Sequence, residues 1–293
     1  MKVHTCKTIV DNTRGIVFTE NPRWHGDKLW FVDIFQNRIK TVDLEGNLEI
    51  TAELPFAPNG WGFKQDGSIL ISDALDRKIY HLQGGRLELA ADISQLTVFG
   101  LSDGFVDAYD RLYIGDMGYN LFDPAAKPVD TCVIVCVQPD GRAAIVADGL
   151  AYPNGMVATP DGKTLIVAES YGWRLTAFDI SPDGSLSNQR VWARLPEDVH
   201  PDGIALDAEG AVWLANPENS DGRPTVLRVR EGGEIVETVA LDDSFAYAVM
   251  LGGPQRRHLF INASGHLDPE DLARNPSATL RVVEVTVPGT GTP

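Results

Sequence analysis

Basic residues are in short supply. Lys and Arg number 25 against 41 Asp and Glu, giving a formal charge of −16. A field of that sign repels phosphate backbones and anionic headgroups, so neither nucleic acid nor a membrane is expected as a partner. The acidity reads as a solvated surface, which can also concentrate cations near a metal site. Cysteine is scarce and odd in number, three in all, which argues against a disulfide framework. Cys132 and Cys136 fall on one apparent strand, about 13 Å apart at ~3.3 Å per residue, too far to bridge. No apolar run approaches the ~20 residues that span a bilayer, and the opening MKVHTCKTIV lacks the ~7 to 15 residue apolar core of a secretory signal. A cytoplasmic protein is the expectation. Also missing are HExxH, a Walker A loop, GxGxxG and a GxSxG elbow, so zincin, nucleotide-hydrolase, dinucleotide and serine-hydrolase readings lack their marks.

Helical periodicity is scarce too. Apolar runs last mostly four to eight residues, are rich in Val, Ile, Leu, Trp and Tyr, and are bounded by Gly, Asp, Asn or Pro, an all-β pattern. The clearest unit is YPNGMVATPDGKTLIVAES, Tyr152 to Ser170. It has an Asn-Gly corner at Asn154 and Gly155, a short strand, a turn at Pro160, Asp161 and Gly162, and a return along Leu165 to Ala168. Weaker copies start at Glu20, Ala57, Leu101, His200 and Tyr247. Each has room for two hairpins, and a period of roughly 40 to 50 residues is that of a propeller blade. The expectation is therefore a six-bladed β-propeller with four-stranded blades around a central metal channel, one domain over residues 1–293. HTCKTIV, ahead of the first copy, reads as one extra strand that pairs with the last blade and closes the ring. Two insertions, MGYNLFDPAAKPVD and SGHLDPEDLARNPSA, read as surface loops or as lids over the axis.

Aligned by the step from corner to turn, the copies place Glu20, Asn59, Ser102, Asn154, Asp202 and Ala248 at one position. Taken singly, an Asn-Gly or Asp-Gly corner is ordinary turn chemistry. Taken together, Glu20, Asn154 and Asp202 supply hard oxygen ligands and two negative charges on one axis, which suits a divalent ion. A turn needs no Glu at position 20, and an unpaired carboxylate there is costly without a cation.

The passages TENPRW, PNGMVATPDGKTLIVAES and PDGIALDAEGAVWLAN resemble the SMP-30/gluconolactonase/luciferin-regenerating-enzyme family over nearly the whole chain. The resemblance implies a six-bladed propeller with one divalent metal in its channel, Ca²⁺ foremost and Mg²⁺, Mn²⁺, Zn²⁺ or Fe²⁺ as alternatives. Its hydrolases open lactones, and relatives such as the diisopropyl fluorophosphatases cleave phosphorus esters. By position its metal ligands fall on Glu20, Asn154 and Asp202. Sugar-lactone members usually carry Arg, one residue, then Asn-Asp-Gly in the third blade, where this chain reads Gly100, Leu101, Ser102, Asp103, Gly104. The missing Arg and shorter Ser102 point away from a simple sugar lactone. Trp61, Tyr119, Phe122, Tyr152, Tyr171 and Trp173 on the loop side favour a larger or more aromatic substrate, if they face the channel.

The leading expectation is metal-dependent hydrolysis of a lactone, with Asp202 as base or nucleophile. Ser102, Asp103, Asn59, Trp61, Tyr119, Tyr152, Tyr171 and His200 stand near the substrate. Two alternatives stay open: a metal-dependent isomerase, cyclase or lyase acting on a natural-product-like substrate in the same cup, and a binding propeller without catalysis. Ser264 beside His266 is only a faint sign of a nucleophile. The oligomeric state is not legible.

Overall fold

The computed structural model describes residues 2–123, 125–217, 225–241 and 243–291, so the 218–224 part of the fifth copy lies outside the described residues. Its six sheets follow one another around an axis, and each is an antiparallel meander that starts on an inner strand and runs outward. The inner strands are Thr19–His25, Pro58–Phe63, Leu101–Val106, Pro153–Ala158, Ile204–Leu206 and Phe245–Gly252. The sequence copies and the blades therefore coincide. The inner strands are buried on both faces, as at Pro153–Ala158, while the outer strands such as Leu48–Glu53 are largely exposed, and the blades pack through one apolar cluster at each interface. Val157 and Leu175 of the fourth blade meet Ile204 and Leu214 of the fifth, and Leu29 and Phe31 of the first meet Phe260 and Leu280 of the sixth.

Ring closure uses two strands where one was expected. Lys7–Asp11 pairs with Thr279–Glu284 as the outer strand of the sixth blade. Lys2–His4 continues past it and lies parallel to Ile235–Val239, which makes the fifth blade five-stranded. The chain start thus binds two adjacent blades. His4 fixes the second contact through Glu237, 2.6 Å away, and Cys6 between the two strands is a free thiol, as are Cys132 and Cys136.

The Asn-Gly and Asp-Gly pairs are not turns, contrary to the corner reading. They sit inside the inner strands, at β-bulges. Register skips between Pro58 and Trp61 in the second blade and between Leu101 and Gly104 in the third. The fourth and first blades skip between Pro153 and Met156 and between Glu20 and Arg23. In the fifth blade Asp202 N and Gly203 O both bond Ala215. The glycines are there because the inner strands nearly touch. A Cβ on Gly155 would stand 2.5 Å from Asp202 O, one on Gly60 2.6 Å from Gly104 N, and one on Gly203 2.6 Å from Ala248 Cβ. The turn expected at Pro160 to Gly162 is real, with Gly162 at φ 67°.

A second repeated device holds the loops above the inner strands. An acid or amide ends the second strand of five blades, as Asp33, Asp73, Asp116, Glu169 and Asn216. Each accepts backbone N–H groups of the nearby loops: Asp33 from Val17 and Phe18, Asp73 from Leu75, Asp116 from Val98, Glu169 from Ala151, Asn216 from His200. Asp33 is buried with Lys40, Nζ to Oδ2 2.8 Å, and Lys40 also bonds Gly15 O and Gln36 Oε1 at 2.6 Å.

Two stability outcomes follow from this geometry. Gly155→Ala forces a methyl onto backbone that cannot yield, and should lower unfolding free energy by about 1 to 3 kcal/mol, read as a lower urea midpoint. An unchanged midpoint would mean the strands do not approach this closely. Lys40→Met strands the buried Asp33 carboxylate and should cost about 3 to 5 kcal/mol, partly recovered in the double variant with Asp33→Asn.

Candidate functional site

At the axis the bulges turn Asn59, Ser102, Asp103, Asn154 and Asp202 inward, with Glu20 beside them, onto the floor of one cavity of about 490 Å³. A bulge re-aims a side chain by presenting two residues where one is paired. All except Asp202 are buried; Asp202 is half-buried and so the more accessible carboxylate.

Hydrogen bonds fix the orientation of these groups. Asn154 Nδ2 donates to Ser170 Oγ at 3.2 Å, and Ser170 Oγ is committed as donor to Pro201 O at 2.8 Å. The Asn154 amide therefore cannot flip. Its Oδ1, the atom a hard cation needs, lies 3.4 Å from Ser102 Oγ. On the opposite side Asn21 Nδ2 donates to Asn59 Oδ1 at 2.8 Å and to Asp103 Oδ1 at 2.7 Å. Asn59 in turn donates to Leu101 O at 3.0 Å, and Glu20 Oε2 accepts from Asn21 N at 3.0 Å.

Three acidic side chains, Glu20, Asp103 and Asp202, share the floor. Burial pushes the Glu20 carboxyl well above the usual range, and Asp202 and then Asp103 raise it further. Burial likewise lifts Asp103 to about 6, against Arg23 and the Asn21 bond, which pull it down. Arg23 is the opposing cation, buried under the floor, where its Nη atoms donate to the carbonyls of Pro22, Trp61 and Gly104 at 2.9, 3.1 and 2.6 Å. It neutralises from below without contacting a carboxylate through a hydrogen bond.

These residues fit a hard divalent cation. Two carboxylates and a fixed amide oxygen are the donors such an ion takes, and Asn21 Oδ1 is buried with no hydrogen-bond partner among the described residues. Among those residues no group of three His, Cys, Asp or Glu side chains is placed to hold a metal; the set counts Asn154 as its third member. The absence of His and Cys from the floor disfavours Zn²⁺ relative to Ca²⁺.

Above the floor the wall differs from side to side. Tyr152, Tyr171, Ser170 and His200 line the fourth and fifth blades. Tyr171 packs edge-on to Tyr152 at 5.6 Å and to His200 at 5.4 Å, and Tyr152 holds a left-handed backbone, φ 61°, which strains a bulky residue. Tyr119 is set back from the lining, its ring 6.0 Å from Tyr152 and 5.9 Å from Tyr171, so it braces both. Trp61 is a correction: it is wholly buried between the first two blades, where its Nε1 donates to Asn21 O at 2.9 Å. Being one position past the bulge, it points away from the axis. Trp173 touches His200 but does not line the cavity.

Both insertions reach the cavity, the first through Met117, Asn120, Leu121 and Phe122, the second through Leu267 and Pro269. The second is not all loop, since Pro269–Arg274 is a short helix whose Leu272 packs with Phe18 and Tyr247. Ser264 Oγ donates to His266 O at 2.7 Å, away from the cavity, which leaves no nucleophile pair there.

Reading the sequence missed Asn21, Arg23, Ser170 and Tyr247. Asn21 carried a signal, as Asn tolerates the left-handed backbone it adopts at φ 49°. Tyr247 stands in the bulge between Ala246 and Ala248, one residue before the aligned position. Arg23 and Ser170 had no signal that periodicity could reveal.

The SMP-30/Gluconolactonase/LRE-like region model matches residues 18–265. Among curated proteins, a 6-deoxy-6-sulfogluconolactonase of Pseudomonas putida is 26% identical over 286 residues, covering 94% of each chain. Regucalcin of Danio rerio is 29% identical over 206 residues, 68% of this chain and 67% of that one. Among solved structures, a calcium-binding protein, regucalcin, from Agrobacterium tumefaciens superposes with a TM-score of 0.75 at 21% identity, covering 98% of both chains, a likeness of fold. No helix among the described residues is long and apolar enough to cross a membrane. The family model covers most of the chain, from the first blade to the second strand of the sixth, with all the floor residues, and the chain belongs to the SMP-30/gluconolactonase/LRE-like family.

Proposed function

We propose that this protein is a divalent-metal-dependent hydrolase that opens a lactone other than a simple sugar lactone. The observation that carries the reading is the convergence of Glu20, Asn154 and Asp202 on one cavity floor, where Asn154 Oδ1 is turned inward by the Asn154–Ser170 bond. The gluconolactonase and sulfogluconolactonase names among its relatives support lactone hydrolysis, and the calcium-binding regucalcin structure supports Ca²⁺.

Glu20, Asn154 and Asp202 would hold the ion. When bound, it supplies Lewis-acid polarisation of the ester carbonyl and positive charge for the developing oxyanion. Asp202, with one face open to the cavity, takes the proton from the attacking water. Ser102 and Asp103 orient that water from the third blade, Asp103 being held by Asn21. Tyr152, Tyr171 and His200 flank the substrate and keep bulk water from the fourth- and fifth-blade side.

The test is lactone opening by the metal-loaded protein, after chelation, and in Asp202→Asn. Turnover should fall by about 100-fold or more in the variant, the scale of general-base catalysis, and should disappear on chelation and return with Ca²⁺. Elemental analysis of protein purified without chelator should find about one divalent ion per chain. Full turnover after chelation and in the variant would end the proposal, and a product of unchanged mass would assign isomerisation instead, since hydrolysis adds water.

A further inference from the structure

We propose that the substrate is a neutral lactone bearing an alkyl or aryl substituent, and that Phe35, Leu75 and Phe122 form the collar that receives this group. The inference rests on the hydrolase reading above and names its substrate class.

Phe35, Leu75 and Phe122 keep 38%, 64% and 47% of their surface exposed, and all three line the one cavity that holds the floor. They come from three separate segments: the first blade, the second blade and the third-blade insertion. Exposed apolar residues scattered singly need no explanation, but a cluster of them at the mouth of a concave site does. Each is also held in place. Leu75 N donates to Asp73 Oδ1 at 3.2 Å, Phe122 N donates to Asn120 Oδ1 at 3.0 Å, and the Phe35 ring lies 5.6 Å from that of Phe18. A fixed apolar surface open to water gains free energy when a ligand covers it.

The charges at the site exclude the other classes. Among the described lining residues there is no Lys or Arg, while Glu20, Asp103 and Asp202 are present. A phosphate, sulfonate or carboxylate on the substrate would meet no cationic partner among the described wall residues and would be repelled by the overall charge of −16. A polyhydroxylated ring fares little better on the collar side, because hydroxyls pressed there would lose water without gaining a hydrogen bond. Apart from Asn120, whose Oδ1 is taken by Phe122 N, and Tyr247 of the sixth blade, the polar side chains among the described lining residues lie on the floor and on the fourth- and fifth-blade wall. The ring therefore seats on the floor and its substituent leans toward the first three blades.

The experiment is a kcat/KM series on metal-loaded protein with γ- and δ-lactones from unsubstituted to octyl, together with dihydrocoumarin, glucono-δ-lactone and a sulfonated lactone. The value should rise about two- to fourfold per methylene until the collar is covered, with dihydrocoumarin well above glucono-δ-lactone and the sulfonated compound slowest. Phe35→Ser, Leu75→Asn and Phe122→Asn combined should lower the ratio of octyl to methyl kcat/KM by about tenfold. These exposed positions leave the blade cores intact. A flat or falling series, with glucono-δ-lactone or the sulfonated compound fastest, overturns the inference while leaving the hydrolase reading standing. Absence of turnover on every compound removes the hydrolase reading instead. The Kd values of matched alkyl lactams then judge the collar alone, and a failure to tighten with chain length overturns it.

Discussion

The inner strands approach the axis so closely that at three of the contacts between them only a residue without a Cβ fits. The rest of the molecule depends on that contact. A strand packed against its neighbour at Gly60, Gly155 or Gly203 has no room for a side chain between blades at that level, so the residue just before the glycine has only the axis to occupy. The bulge completes the arrangement, because it breaks the strict alternation that would otherwise send Asn59, Asn154 or Asp202 into a blade interface. One steric requirement therefore generates both the ring and its polar floor. The interblade clusters, each closed by Val, Ile, Leu and aromatic residues, supply the burial that holds the strands at this separation.

Acids serve two purposes in this protein, and their partners distinguish them. Asp33 faces Lys40, Glu169 faces Arg174 at 2.7 Å as well as Thr176, and Asp207 faces Arg228 at 2.7 Å. Each is buried, each has a cation on its carboxylate, and each also organises a loop or a strand end. Removing a carboxylate from water is tolerable when a counter-charge and several N–H donors replace the solvent. Glu20 and Asp103, buried on the floor, are held differently. Burial lifts both carboxyls, Asp202 and then Asp103 raise Glu20 further, and the guanidinium beneath them, Arg23, donates to backbone carbonyls and has no hydrogen bond to either carboxylate among the described residues. The proposed divalent cation would offset that burial through the same donors that position it.

Much of the fold was legible because the repeat is written in residues whose physical demands are narrow. Gly at the close approach and Asp-Gly at the outer hairpin recur at nearly fixed spacing, so blade number and the axial positions Glu20, Asn154 and Asp202 could be read in one dimension. The reason for the Asn-Gly pairs was misread, since a turn and a strand that almost touches its neighbour both call for glycine. Asp33, Asp73, Asp116, Glu169 and Asn216 were present at a steady 13 to 15 residues beyond the aligned position, a repeat visible in hindsight. Trp61 was assigned to the cavity because an aromatic near a loop looks available. The bulge beside it, invisible to composition, reverses its face. The path of the chain start across two blades was likewise beyond reach, since a three-residue parallel pairing leaves no periodic trace.

The division between floor and collar explains why the repeat predicts one and not the other. Floor residues belong to the inner strands and must satisfy the same packing in each blade, so they stay in register with the copies. The collar is built from residues outside that register, at the loop after the first blade's second strand, at its counterpart in the second blade, and in an insertion that breaks the copy pattern of the third. Such segments carry no packing obligation to the ring and are free to change the surface they present. On the proposed reading, chemistry that depends on Glu20, Asn154 and Asp202 is thus tied to the architecture, while the group admitted above them would be set by Phe35, Leu75 and Phe122. The third-blade run Gly100, Leu101, Ser102 belongs to both sets: Ser102 keeps its place on the floor, and the described wall above it is completed by Phe99, Met117 and Phe122.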